Sequence, residues 1–134
     1  MKPWMQYLIA FIVFCHGFVY VRIGGALPGP IPAWKGSSWL LGDVVTGGRL
    51  TALVIALHVI AGVAIIASSV AIVFGAWIPG WWRPLAIGGA VVGIVAFVVF
   101  WDGQTQQLFE EGAIGAAVSA ALLLGATLFP RAFA

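Results

Sequence analysis

The sequence contains little charge. Only 7% of its 134 residues are Asp, Glu, Lys or Arg, whereas 63% are hydrophobic. A soluble domain carries roughly 25% charged residues, so this composition excludes an ordinary soluble domain and predicts a polytopic membrane protein. The formal net charge is +2, and no run of Lys and Arg could follow a phosphate backbone. We therefore expect no nucleic acid partner.

Cysteine is almost absent as well. Cys15 is the single cysteine, which excludes an intramolecular disulfide, a CxxC redox pair and a thiolate metal cluster. The start of the chain is similar to a signal peptide, because Lys2 precedes an apolar run. The residues before Cys15 are Ile, Val and Phe, which are too bulky for a cleavage site. We expect an uncleaved first helix.

What is present is a set of four long apolar stretches. A membrane-spanning helix needs about 20 mainly apolar residues, and the expected spans are 4–22, 50–74, 84–101 and 111–129. The last two connections are short, which favours antiparallel neighbours. We predict an all-α protein with a single domain, residues 1–134, folded as an antiparallel four-transmembrane-helix bundle.

The connection between the first two spans is too long for a plain turn. It contains prolines at positions 28, 30 and 32, followed by "SSWLLGDVV". This second part predicts a short helical turn with Ser37 or Ser38 as its cap. We expect an ordered loop that packs over one end of the bundle.

The orientation of the chain depends on its basic residues. Four spans place both termini on one side, and each side has three Lys or Arg residues. These are Lys2, Arg83 and Arg131 on the terminal side, and Arg22, Lys35 and Arg49 on the other. The equal counts do not decide the orientation. We predict a multi-pass protein of the bacterial inner membrane with cytoplasmic termini, because the basic residues on that side lie in shorter segments.

Small residues recur four apart in three of the spans. Gly89 and Gly93 in the third span are one such pair, and similar spacings occur in the second and fourth. Small residues at this spacing let helix backbones approach closely, which predicts packing within one bundle, with a dimer face as the alternative. The first span differs because Phe11, Phe14 and Phe18 make it bulky, so its face predicts a lipid or partner surface.

Two histidines within the spans are the candidate functional residues. His16 lies about 9 Å below Arg22, and His58 lies about 13 Å from Arg49, at a helical rise of 1.5 Å per residue. The two histidines therefore lie at similar depths near the same end. The ionisable or polar residues that we assign to this end as a candidate polar cluster are Tyr20, Arg22, Arg49, Asp102, Glu110 and Glu111.

Three interpretations of the histidines remain open, because an ionisable residue in a membrane suggests function. His16 and His58 could bind haem b, although no third ligand supports a metal ion site. They could line a pocket for an anionic or quinone-like headgroup. They could also hydrogen-bond to backbone carbonyls or to Asp102 or Glu110, and so tie the helices together.

Five segments carry a family resemblance: "HG", "GSSWLLGD", "WWRPLAIGGAVVG", "FWDG" and "GAIGAAVSAALLL". In the order of these segments, the chain resembles small, largely uncharacterised bacterial integral membrane proteins that are loosely DoxX-like. The resemblance implies a four-helix membrane bundle. It implies no substrate and no catalytic residue.

The sequence thus predicts a small non-enzymatic membrane protein. We expect an accessory or structural subunit of a membrane complex or a homo-oligomer, whose partners are the lipid bilayer and other membrane subunits or itself. The alternatives are a haem- or quinone-binding electron-transfer subunit that uses His16 and His58, and a binding protein for a lipid-like or anionic small molecule. No nucleophile elbow, phosphate-binding glycine loop or HExxH motif occurs, so we assign no catalytic residue, although an enzymatic role stays open.

Overall fold

The computed structural model describes residues 3–25, 36–42, 44–75, 80–103 and 112–129. These residues form four helices and no strand: α1 (Pro3–Gly25), α2 (Gly47–Val73), α3 (Trp82–Phe100) and α4 (Ala113–Leu128). The all-helical prediction is confirmed, and each helix ends within three residues of its expected bounds. Proline occurs in these helices at Pro3 and Pro84, both in a first turn, where the missing N–H costs no helical hydrogen bond.

Three of the four helices are long and apolar enough to cross a membrane, namely α1, α2 and α3. The fourth, α4, is apolar but shorter, with 16 residues. It begins directly after Gly112, which has a φ of 109°. This left-handed conformation is costly for residues with a side chain, so glycine is suited to the position.

The first two helices approach each other closely. A methyl group added at Gly17 of α1 would lie 2.9 Å from the carbonyl oxygen of Gly62 in α2, and one added at Gly62 would lie 2.7 Å from that of Gly17. Near the ends, the Gln6 side chain of α1 donates to the Ile72 carbonyl oxygen of α2 at 2.5 Å, and Gly24 lies against Ile55. The start of α1 therefore lies beside the end of α2.

The later helices contact each other in a similar way. Ser68 of α2 donates to the carbonyl oxygen of Trp82, at the start of α3, over 3.0 Å. Leu50 and Val54, early in α2, belong to the same buried apolar cluster as Phe100 at the end of α3. Between α3 and α4, the Nε of Arg83 donates to the carbonyl oxygen of Ala126 at 3.0 Å.

Part of the long connection packs on the end of α3. Ser38 donates its hydroxyl to the carbonyl oxygen of Val99, and the backbone N–H of Trp39 donates to the carbonyl oxygen of Trp101 at 3.0 Å. The indole rings of Trp39 and Trp101 are 6.2 Å apart. The Ser38 hydroxyl also accepts from the N–H of Leu41 at 3.1 Å, as the cap of a turn would. The rest of this connection, residues 26–35 and Asp43, lies outside the described residues.

Candidate functional site

A buried serine joins two side chains of α1 to α4. Ser119 of α4 has no exposed surface, and its hydroxyl lies 3.0 Å from Nε2 of His16 and 3.1 Å from the phenol oxygen of Tyr20. A hydroxyl has one proton to donate and can also accept, so Ser119 can satisfy both α1 groups at once. If Nε2 of His16 carries the proton, it donates to the Ser119 hydroxyl. If Nδ1 carries the proton instead, Nε2 accepts from that hydroxyl.

His58 of α2 completes the cluster and also contacts the Tyr20 ring. Its Nδ1 lies 2.8 Å from the carbonyl oxygen of Val54, one turn earlier in the same helix. Because a carbonyl oxygen only accepts, Nδ1 carries the proton, and Nε2 of the neutral ring keeps a lone pair. The centre of the Tyr20 ring is 5.7 Å from that of His58 and 5.1 Å from that of His16, with the His16 ring edge-on.

Two glycines make room for the Tyr20 phenol. A methyl group at Gly93 of α3 would lie 2.7 Å from the phenol oxygen, and one at Gly115 of α4 would lie 3.6 Å from it. Tyr20 is only 5% exposed as a result, although its side chain is large. The phenol thus lies where α1, α3 and α4 meet. We refer to His16, Tyr20, His58 and Ser119 as the phenol cluster.

The other predicted site residues take different positions. Arg22, in the last turn of α1, and Arg49, in the first turn of α2, are exposed. Asp102 is half-buried just beyond the end of α3. Glu110 and Glu111 lie outside the described residues. Of the predicted set, the described structure therefore brings His16, Tyr20 and His58 together, with Arg22 and Arg49 outside the contacts of the phenol cluster.

Sequence reasoning missed Ser119 and the role of Gly93. A usable signal for Ser119 existed. It lies eight residues after the expected start of the fourth span, which places it about 12 Å deep at 1.5 Å per residue. That depth is close to those of the two histidines, so the only hydroxyl within the stretch 111–126 was a candidate partner.

The phenol cluster is a poor fit to a haem held by two histidines. The Tyr20 ring lies against both imidazoles, with its centre 5.1 Å from that of His16 and 5.7 Å from that of His58. Nε2 of His16 is engaged by Ser119, so a bond from this nitrogen to iron would replace that hydrogen bond, whereas the bond of His58 Nδ1 to Val54 leaves Nε2 of His58 available. Within the described ranges there is also no group of three or more His, Cys, Asp and Glu side chains that could hold a metal ion.

Comparison of the chain with family models, curated proteins and solved structures gives no match. The resemblance to DoxX-like proteins stays a prediction.

Proposed function

We propose that this chain is a small integral membrane protein with a structural role, as an accessory subunit of a membrane complex or as a homo-oligomer. It would fold as an antiparallel four-helix bundle in a bacterial inner membrane, with both termini in the cytoplasm. The contacts of Gln6 with Ile72 and of Arg83 with Ala126 support the antiparallel arrangement, because each joins the start of one helix to the end of another.

The observation that carries the proposal is the double hydrogen bond of Ser119. A polar side chain inside a membrane is costly unless it has a partner. His16 and Tyr20 are bonded to Ser119, and His58 donates to a carbonyl of its own helix. Ser119 thus joins α4 to two side chains of α1, which supports a role in holding helices together.

A second feature supports a role in assembly. The exposed side of α1 carries large rings, including Trp4 at 60% exposure and Phe11 at 64%. A face of this kind is typical of a surface that contacts lipid or another membrane helix. The chain thus has hydrogen bonds between its helices inside and a large apolar face outside, as a subunit of a membrane assembly needs.

The proposal is tested by the size of the protein in its native membrane. Membranes of the source organism are solubilised in a mild detergent, and the protein is detected after native electrophoresis. We expect a species clearly larger than the 14.1 kDa chain in its detergent micelle. Migration as a monomer, with or without prior chemical cross-linking, would contradict the proposal.

A spectrum of the purified protein tests the cofactor alternative. We expect only tryptophan and tyrosine absorption before and after reduction with dithionite. A Soret band that shifts on reduction, and that is lost in both His16→Ala and His58→Ala, would replace the structural role with electron transfer. A band retained in both variants would place the pigment at another site and would equally contradict the proposal.

A further inference from the structure

The helix α1 carries two parallel stripes of residues with the same spacing. One stripe is buried and faces the other helices; its members are Ala10, Val13, Gly17, Tyr20 and Gly24. The other stripe, which we name the ring stripe, is exposed and entirely aromatic; its members are Trp4, Tyr7, Phe11, Phe14 and Phe18. Both follow alternating steps of three and four residues, the spacing of a helix that packs along its length against another helix. At 100° per residue, the two stripes are about 110° apart around α1.

Exposed rings inside the helices are confined to this stripe. In the described parts of α2, α3 and α4, the exposed large apolar side chains are aliphatic, for example Val63, Val95 and Leu124. Exposed aromatic residues outside α1 lie at or beyond helix ends, such as Phe74 and Trp81. A surface that contacts only lipid tails does not require its aromatic residues to be gathered on one helix, because aliphatic side chains pack against lipid tails equally well.

The rest of the exposed side of α1 supports the same distinction. Leu8, Ile12 and Val19 are 49%, 53% and 51% exposed and form an aliphatic strip beside the ring stripe. An aromatic belt at the membrane surface explains Trp4 and Tyr7. It does not explain Phe11, Phe14 and Phe18, which lie farther along the span.

The ring stripe borders a groove between α1 and α2. Tyr7, Phe11 and Phe14 line one side and Val70 and Phe74 the other, and the groove has a volume of about 270 Å³. Further along the stripe, the rings of Phe14 and Phe18 are stacked, with centres 6.4 Å apart and planes 16° from parallel. Because rings held against each other lose little freedom on binding, this surface is organised before a partner arrives.

We propose that the ring stripe is the contact surface for a second copy of this chain, with the two α1 helices side by side and parallel. This inference rests on the structural role proposed above and names the partner. Copies of one chain enter the membrane in the same orientation, so their α1 helices are parallel. A stripe of this spacing is complementary to itself in such a pair, as a two-fold interface requires.

The exposed area of the ring stripe is sufficient for a dimer. A ring side chain offers roughly 200 Å², and the five residues are between 42% and 64% exposed. When it is fully covered, the stripe therefore buries about 550 Å² on each copy, or about 1,100 Å² in a pair. Specific interfaces begin at about 1,000 Å², and stacked or edge-on ring pairs add to the contact energy beyond the area buried.

Cysteine cross-linking tests the interface position by position. In a Cys15→Ser background, which removes the single native cysteine, Phe11→Cys and Phe14→Cys place thiols on the ring stripe. Ile12→Cys is the matched control, since it lies at the same depth, with similar exposure, about 100° away around the helix. After reconstitution at high lipid-to-protein ratio and mild oxidation, we expect at least fivefold more dimer for the stripe positions. Equal cross-linking at all three positions, or none, would overturn the inference.

A second measurement uses the wild-type chain, which keeps the rings that the cysteine substitutions remove. The dimer fraction of the wild-type chain in vesicles is followed by single-molecule photobleaching, over a range of protein densities. We expect the double variant Phe11→Leu/Phe14→Leu to raise the dissociation constant about tenfold, and the control Ile12→Leu to leave it within twofold. A wild-type chain that stays monomeric throughout, or an equal change in both variants, would overturn the inference.

The two proposals fail in different ways. If the chain runs as a large species from native membranes but is monomeric after purification, it assembles with a different subunit. The inference is then overturned and the structural role stands. If the chain is monomeric in both preparations, both proposals fail.

Discussion

The two outer helices of the series, α1 and α4, are held to the rest of the protein by different means. Where α1 meets α2, Gly17 and Gly62 bring the backbones so close that added methyl groups would lie within 3 Å of the opposite chain. The described part of α4 has two buried residues, Ser119 and Ala126, and each takes part in a hydrogen bond to another helix. Close contact spreads the attraction over many atoms, whereas each hydrogen bond concentrates it at one point. The two attachments should therefore respond to substitution very differently.

The largest effect is expected where the backbones touch. Gly62→Ala places a methyl group 2.7 Å from the Gly17 carbonyl oxygen and 2.8 Å from the Val21 nitrogen. Both are backbone atoms that cannot rotate away, so α1 and α2 must separate. We expect the free energy of unfolding, measured by SDS titration in mixed micelles, to fall by about 2–3 kcal/mol.

The matched control for this change is Gly88→Ala in α3. An added methyl group there meets nothing within 4 Å, and alanine favours a helix over glycine by roughly 0.5–1 kcal/mol. We expect Gly88→Ala to be neutral or mildly stabilising. If both glycine variants lose the same stability, close approach is not what holds α1 to α2.

The second effect concerns the hydroxyl that ties α4 to α1. Ser119→Ala leaves His16 and Tyr20 without their shared partner. We expect a loss of about 1–2 kcal/mol, since hydrogen bonds between membrane helices are individually modest and buried unpaired groups are costly. The control is Thr127→Ala on the same helix, whose hydroxyl bonds only to carbonyls of α4 itself and is exposed. A loss in the control equal to that in Ser119→Ala would contradict the claim that the hydrogen bonds of Ser119 hold α4 to α1.

A smaller effect is expected when only one of the two hydrogen bonds of Ser119 is removed. Tyr20→Phe removes the phenol oxygen and keeps the ring in contact with the two histidines, so we expect a loss of about 0.5–1 kcal/mol. Combined with Ser119→Ala, it should cost little beyond the serine change alone, because both remove the same bond. Strictly additive losses in this double-mutant cycle would show that the two groups do not interact.

The smallest effect is expected at the other attachment of α4. Arg83→Gln removes the cation whose Nε donates to the Ala126 carbonyl near the end of α4. A cation there complements the helix dipole, but Arg83 is exposed, so we expect a loss of about 0.5 kcal/mol. Arg49→Gln, in the first turn of α2, removes a cation from the unfavourable end and should not destabilise. Thermal unfolding followed by tryptophan fluorescence can compare the two, and an equal loss would contradict a specific contact at Ala126.

The sequence was sufficient to predict where the helices lie, but it was insufficient to predict which face of each helix is buried. Long apolar runs, with proline confined to first turns, define where α1 to α4 begin and end. The same spacing of small residues, however, has different outcomes: Gly89 and Gly93 of α3 are buried, whereas Ala117 and Ala121 of α4 are exposed. Burial depends on which helix lies opposite, and a spacing within one helix does not contain that information.

The candidate site shows the same limit. Depth along the helix axis placed His16 and His58 at one level, and the structure has both in contact with the Tyr20 ring. Depth says nothing about direction around the axis, so Ser119 was not predicted as the partner of His16, whereas a backbone carbonyl, such as Val54 provides for His58, was among the open interpretations. Arg22 and Arg49 are at the expected end yet exposed, since side chains at a helix end can reach solvent more easily than each other.

The bond between Tyr20 and Ser119 also has a consequence for the order of biosynthesis. The two residues are 99 positions apart, so the first two helices are complete long before Ser119 is made. At about 5–20 residues per second, the Tyr20 phenol waits roughly 5–20 s for its partner. During that interval the nascent α1–α2 pair exposes a phenol and an imidazole to the insertion machinery or to lipid. The helix α4 therefore completes the phenol cluster, and a ribosome that stalls before Ser119 leaves an intermediate in which His16 and Tyr20 lack their shared partner.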